Sequence, residues 1–252
     1  MSFHPPPRRI LVRGVNWLGD AVMTTPALVR WREKYRAAHI TLLTPAKLRD
    51  LWLHHPAVDE VIGFEAGEGL ISVGRKLCAG KFDLALVLPN SPRSAMETWL
   101  AQIPQRIGYA RSWRNCFLTR AVPVRPGHVP MRKPAIREIR RLLDDPQIAT
   151  GGFRPPTTAH QIYEYLHLVA ALGASDEPTR PRLVVTPAEM EAASQKFGLR
   201  ESRQAARPLL GLNPGAEYGP AKRWPDSRSR PKPWSSTQIP TRSQDRRRDP
   251  SP

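Results

Sequence analysis

From Ile10 to Tyr109, short apolar runs alternate with segments whose apolar residues recur at helical spacing. Ile10 to Arg13 is a β-branched, apolar run and predicts a strand. Gly14 to Gly19 reads as a loop. Asp20 then leads into AVMTTPALVRWREKYR, where Ala21, Val22, Ala27, Leu28 and Trp31 fall near one helical face. Asp20 is placed to cap that helix, and Pro26 predicts a start or kink within it. The unit then repeats. Strands are expected at Ile40–Leu43, Val58–Phe64, Leu84–Leu88 and Arg106–Tyr109, with helices at Ala46–His54, Leu70–Ala79 and Ser94–Gln102. Leu84–Leu88 is continuously apolar, as in a strand covered on both faces. Such alternation predicts a parallel sheet with right-handed crossovers. Ligands bind these sheets beyond the carboxyl ends of the strands, where Asp20, residues 89–93 and Arg111 fall.

The second half is less regular. Arg111 to Phe153 is basic, with Arg132, Lys133, Arg137, Arg140 and Arg141 around an expected helix. Gln161–Leu172 predicts a helix stopped by Gly173. Ser175–Pro181 is a polar, Pro-containing linker and the expected domain boundary. A strand at Leu183–Val185 and a helix at Pro187–Phe197 follow. Pro208–Asn213 reads as a buried strand that opens into a loop with Gly215, Gly219 and Pro220, then Lys222 and Arg223. Backbone N–H groups left open by small residues, beside cations, suit a phosphate, although the spacing is not that of a P-loop. An ordinary strand and loop with solvated basic residues is the plain alternative. After Pro225 no period survives. Residues 226–252 hold seven Lys or Arg against three Asp, and only Trp234 and Ile239 are apolar, so the tail is expected to be disordered.

Composition narrows the classes. The chain has 252 residues, of which 40% are hydrophobic, enough for one large domain or two small ones. Its formal net charge is +17, which calls for an anionic partner: nucleic acid, a lipid headgroup or a phosphorylated sugar. Two distant cysteines, Cys78 and Cys116, argue against a disulfide framework or a zinc site and read as small buried residues. No 18-residue apolar run and no secretory h-region are present, so a cytoplasmic protein without a membrane span is expected. His54 and His55 lack ligand spacing, and no metal or cofactor is expected.

Three separated motifs change the reading. Arg9–Leu28 (RILVRGVNWLGDAVMTTPAL), Arg106–Pro123 (RIGYARSWRNCFLTRAVP) and NPGAEYGPAKRWP, ending at Pro225, resemble in order those of the ADP-heptose–lipopolysaccharide heptosyltransferases of glycosyltransferase family 9, heptosyltransferase II most closely. The resemblance covers about residues 8 to 225. It implies a GT-B fold, in which two Rossmann-like domains face each other across a cleft. The expected domains are a complete acceptor-binding domain (1–174), the start of a donor-binding domain (175–225) and a disordered basic tail (226–252), that is, a C-terminally truncated chain.

The implied reaction is inverting transfer of heptose from ADP-heptose to a heptose of the inner core, on heptosyl-Kdo2-lipid A at the inner membrane surface. The resemblance makes Asp20 the base for the acceptor hydroxyl, where spacing alone favours a helix cap. It makes Lys222, with Gly215, Ala216 and Tyr218, the ligands of the donor diphosphate. Arg93, Arg111 and Arg114 are candidates for the acceptor's phosphates and carboxylates. Two alternatives stand beside this: an inactive remnant of such an enzyme, and a basic nucleic-acid-binding module. Against the latter, aromatic and basic residues do not interleave, and no helix-turn-helix or zinc-finger spacing is present.

Overall fold

The computed structural model describes residues 5–128, 135–137, 141 and 156–199. The chain divides into a unit of Met1–Met190 and a unit of Glu191–Pro252. The strand and loop expected at 208–225, with Lys222, Gly215, Ala216 and Tyr218, lie outside the described residues, as does the tail.

Six strands form one parallel sheet: β1 (Arg9–Arg13), β2 (His39–Pro45), β3 (Glu60–Phe64), β4 (Leu84–Val87), β5 (Gln105–Tyr109) and β6 (Arg120–Val122). Their order is β3-β2-β1-β4-β5-β6, the doubly wound Rossmann order, in which the winding reverses between β1 and β4. The helices of the described residues are α1 (Leu18–Lys34), α2 (Leu70–Cys78), α3 (Pro92–Leu100), α4 (Ile162–Ala170) and α5 (Pro187–Lys196), with a 3-10 turn at Ala46–Trp52.

Alternation along the strands divides the core. Ile10 and Val12 of β1, with Leu84 and Leu86 of β4, face one side and pack with Leu28 and Trp31 of α1 and Leu168 and Val169 of α4. Leu11 of β1 and Ala85 of β4 face the other side, against Val73 and Leu77 of α2. Both faces of the central strands are thus covered, which explains their unbroken apolar runs. Arg13 in β1 pairs in register with Leu43 and Val87, so the chain leaves the sheet at Gly14 directly beside the end of β4.

Several expectations shift. α1 begins at Leu18, so Asp20 lies inside its first turn. The N-cap is Trp17, which makes no side-chain capping bond. Pro26 neither starts nor breaks the helix. Its missing N–H would leave the Val22 carbonyl open, and the Thr25 hydroxyl donates to that carbonyl instead, at 2.8 Å. Residues 183–185 form no strand; Leu183 and Val185 are exposed. β6 was not anticipated: it is three residues long, and its Arg-Ala-Val sequence carries no period. Both cysteines are free and exposed rather than buried, because Cys78 ends α2 and Cys116 sits in a surface turn.

Candidate active site

The reversal of winding separates the loops that follow β1 and β4, and a cleft of about 310 Å³ opens there. Val15, Asn16, Trp17 and Asp20 form one wall, and residues 88–91 after β4 the other. Tyr109 and Arg111 close it at and beyond the end of β5, His128 comes from the segment after β6, and Gln161, Glu164 and Tyr165 come from the start of α4. α4 packs against α1, which brings its first turn beside Asp20.

The Asp20 carboxylate has no hydrogen bond or ion pair to any described residue. Burial raises it above the ordinary value of 3.8, although the first turn of a helix favours negative charge. Tyr165 is close enough to feel that charge: burial first, then Asp20, pushes its hydroxyl up to about 12. A carboxylate that is half-buried, unpartnered and raised is equipped to accept a proton from a bound hydroxyl. The side of the cleft formed by Tyr109, His128 and Glu164 is well tied. Tyr109 donates its hydroxyl to the Glu164 carbonyl. One Glu164 carboxylate oxygen accepts from Arg125 Nε at 3.2 Å and lies 3.1 Å from His128 Nδ1.

The three arginines separate. Arg111 lines the cleft. Arg114 lies behind it, fully buried, with Nη1 donating to Asn90 Oδ1 at 3.2 Å. Its Nε and second terminal nitrogen have no described partner. Burial, and then the charge of Arg111, lowers Arg114 to about 10. The turn that carries both passes through Trp113 at φ +63° and is held by the Arg111 N–H on Asn115 Oδ1 at 2.9 Å. Arg93 is engaged elsewhere, on Glu97 Oε1 at 3.0 Å and on the Glu68 carbonyl, and does not line the cleft. Arg137 and Arg141 are exposed. Among the described residues no group of three or more His, Cys, Asp or Glu is placed to hold a metal, and no helix is long and apolar enough to cross a membrane.

Gly108 makes the space for Arg114. A Cβ there would stand 2.8 Å from the Arg114 guanidinium and 3.0 Å from the Val87 carbonyl. Both neighbours are fixed, one by burial and one by the sheet. Gly108→Ala is expected to cost about 1–3 kcal/mol, read by urea unfolding. A loss below about 0.5 kcal/mol would mean that Arg114 is not held where the structure places it.

Of the residues singled out in the sequence, Asp20 and Arg111 line the cleft; Asn16, Glu164, His128 and Tyr165 line it too and were not singled out. Their signal is topological: each lies at the carboxyl edge or on the helix packed beside it, and no motif links them.

Fold and cleft together define a Rossmann-type domain with a polar, sugar-sized site at its switch point. Residues 70–230 match the family Glycosyltransferase family 9 (heptosyltransferase), and the chain belongs to that family. It is 30% identical over 226 residues to lipopolysaccharide heptosyltransferase 2 of Salmonella typhimurium, covering 86% of this chain and 57% of that protein. Identity to the Escherichia coli K12 protein of the same name is also 30%, over 230 residues with the same coverage. Among solved structures, E. coli ADP-heptose lps heptosyltransferase II superposes with a TM-score of 0.59 at 29% identity, over 86% of this chain and 57% of that one. A family 9 glycosyl transferase from Veillonella parvula gives 0.61 at 22% identity, over 86% and 56%, a likeness of fold. The chain thus spans a little over half the length of these relatives, and its Rossmann-like sheet corresponds to part of a GT-B enzyme.

Proposed function

We propose that the protein transfers heptose from ADP-L-glycero-D-manno-heptose to a heptose hydroxyl of the lipopolysaccharide inner core, with inversion and with Asp20 as base. The observation that carries this reading is Asp20 itself: unpartnered among the described residues, raised by burial, and in the wall of a polar cleft at the switch point. The Asp20 carboxylate takes the proton of the acceptor hydroxyl. The acceptor oxygen bonds to the anomeric carbon from the face opposite the diphosphate, the bond from that carbon to the diphosphate oxygen breaks, and ADP leaves.

Arg111, with Arg114 behind it, meets the phosphates or carboxylates of the acceptor. Lys222, the Gly215 and Ala216 N–H groups and Tyr218 take the departing diphosphate, a role that rests on the motif resemblance. In this reading residues 1–174 bind acceptor and 175–225 begin the donor-binding domain. No cofactor is required, and the protein works in the cytoplasm at the periphery of the inner membrane.

The test is incubation of the purified protein with ADP-heptose and heptosyl-Kdo2-lipid A, followed by mass spectrometry of the lipid. Addition of one heptose, dependent on the nucleotide sugar, is expected. An unchanged acceptor, together with no binding of ADP-heptose by calorimetry, would overturn the proposal.

A further inference from the structure

The wall that carries Asp20 also carries a second group whose orientation is fixed by chemistry. Asn16 lines the cleft, and its Oδ1 accepts from Arg13 Nη1 at 2.9 Å. A guanidinium has donors and no acceptor. The amide oxygen must therefore face Arg13, and the amide N–H2 must face away from it. That N–H2 has no described partner.

Arg13 is itself immobile. It is 2% exposed, its Nε donates to Glu97 Oε2 at 2.7 Å, and its Nη1 also donates to the Gly14 carbonyl at 2.5 Å. Its guanidinium carbon stands 4.7 Å from the centre of the Phe64 ring. Glu97 is fully buried, and its other oxygen accepts from Arg93 at 3.0 Å. A buried ion pair of this kind does little for net stability compared with apolar packing. Here it sits under the β1–α1 loop and dictates which way one exposed amide points.

We propose that Asn16 is a substrate-orienting residue. Its N–H2 donates to an oxygen of the sugar substrate held against Asp20, and the Arg13–Glu97 pair keeps it aimed. This rests on the transferase reading above. The chemistry required of the ligand is an acceptor oxygen, either a sugar hydroxyl or a phosphoryl oxygen of the nucleotide.

Asn16→Asp separates the role from the fold, because a carboxylate still accepts from Arg13 but offers no donor. The variant is expected to keep its melting temperature within about 1 °C and to lose about 10–100-fold in kcat/KM for heptose transfer. In 15N-labelled wild-type protein, the Asn16 side-chain N–H2 resonance is expected to move when a heptose-containing acceptor fragment is added. Movement with ADP alone would assign the contact to the phosphoryl source. Transfer by Asn16→Asp within twofold of wild type, or an N–H2 resonance unmoved while other cleft signals shift, would overturn this proposal and leave the transferase reading standing. A wild-type protein that neither transfers nor binds heptose would overturn both.

Discussion

Asp20→Asn is expected to lower heptose transfer by about 10³-fold or more while leaving the protein folded and slightly more heat-stable. In the proposed reading Asp20 is the base, and removing a general base costs on the order of 10²–10⁴-fold. The stability gain follows from the direction of the pKa shift. Burial raises the Asp20 carboxyl above 3.8, so its ionised form is less favourable in the folded state than in the unfolded chain. That cost is present at neutral pH, shrinks as pH falls through the raised value, and is absent once the group is protonated in both states. The amide that replaces the carboxylate has no charge to desolvate. At pH 7 the melting temperature is therefore expected to rise slightly, and the difference should close as pH falls below 3.8. A variant that melts well below wild type would show that Asp20 is structural, and one that retains a tenth of wild-type activity would show that it is not the base. The same burial predicts that activity falls on the acid side at a pH above the ordinary aspartate value of 3.8.

Glu97→Leu is expected to cost about 3–5 kcal/mol, because it leaves the Arg13 guanidinium buried without its counter-charge. Arg93 loses the same carboxylate, but from its half-exposed position it can turn to water, which Arg13 cannot. The double variant Arg13→Met with Glu97→Leu should recover most of that loss, as apolar groups of similar volume replace a buried pair at little net cost. It should nonetheless remain slow in transfer, because Asn16 is then free to rotate. Urea unfolding of Glu97→Leu and of the double variant, with kinetics on the double, decides the matter. Loss below about 1 kcal/mol in the single variant, or a double variant as active as wild type, would contradict the structure's account of the loop.

The sheet was legible because its strands are short, apolar and separated by helical periods. Buried parallel strands need little beyond hydrophobicity to announce themselves. Asp20 was legible as a group at a strand's carboxyl end, but the helix start was not. The usual signal is a polar N-cap, and here the cap is Trp17, whose side chain makes no capping bond. Arg13 looks in sequence like a charge at a strand end and gives no hint that its partner is Glu97, 84 residues on. Likewise Arg93, Arg111 and Arg114 are indistinguishable as letters. Helical spacing sends Arg93 to Glu97, four residues on, and packing sends Arg111 to the cleft and Arg114 into the interior. The cysteines were misjudged from a general tendency of free thiols toward the interior, which a helix end and a surface turn override.

The pairing of β1 with β4 has a consequence for synthesis on the ribosome. The two walls of the cleft follow strands that meet through the register Ile10 with Leu84 to Arg13 with Val87. The Asp20 wall therefore emerges well before the wall it must face, and β1 waits with one edge unpaired while β2, β3 and their crossovers appear. At about 5–20 residues per second, that interval lasts several seconds. A nascent chain arrested just before Leu84 should expose the β1 edge to proteases or chaperones, and one arrested well beyond Tyr109 should not.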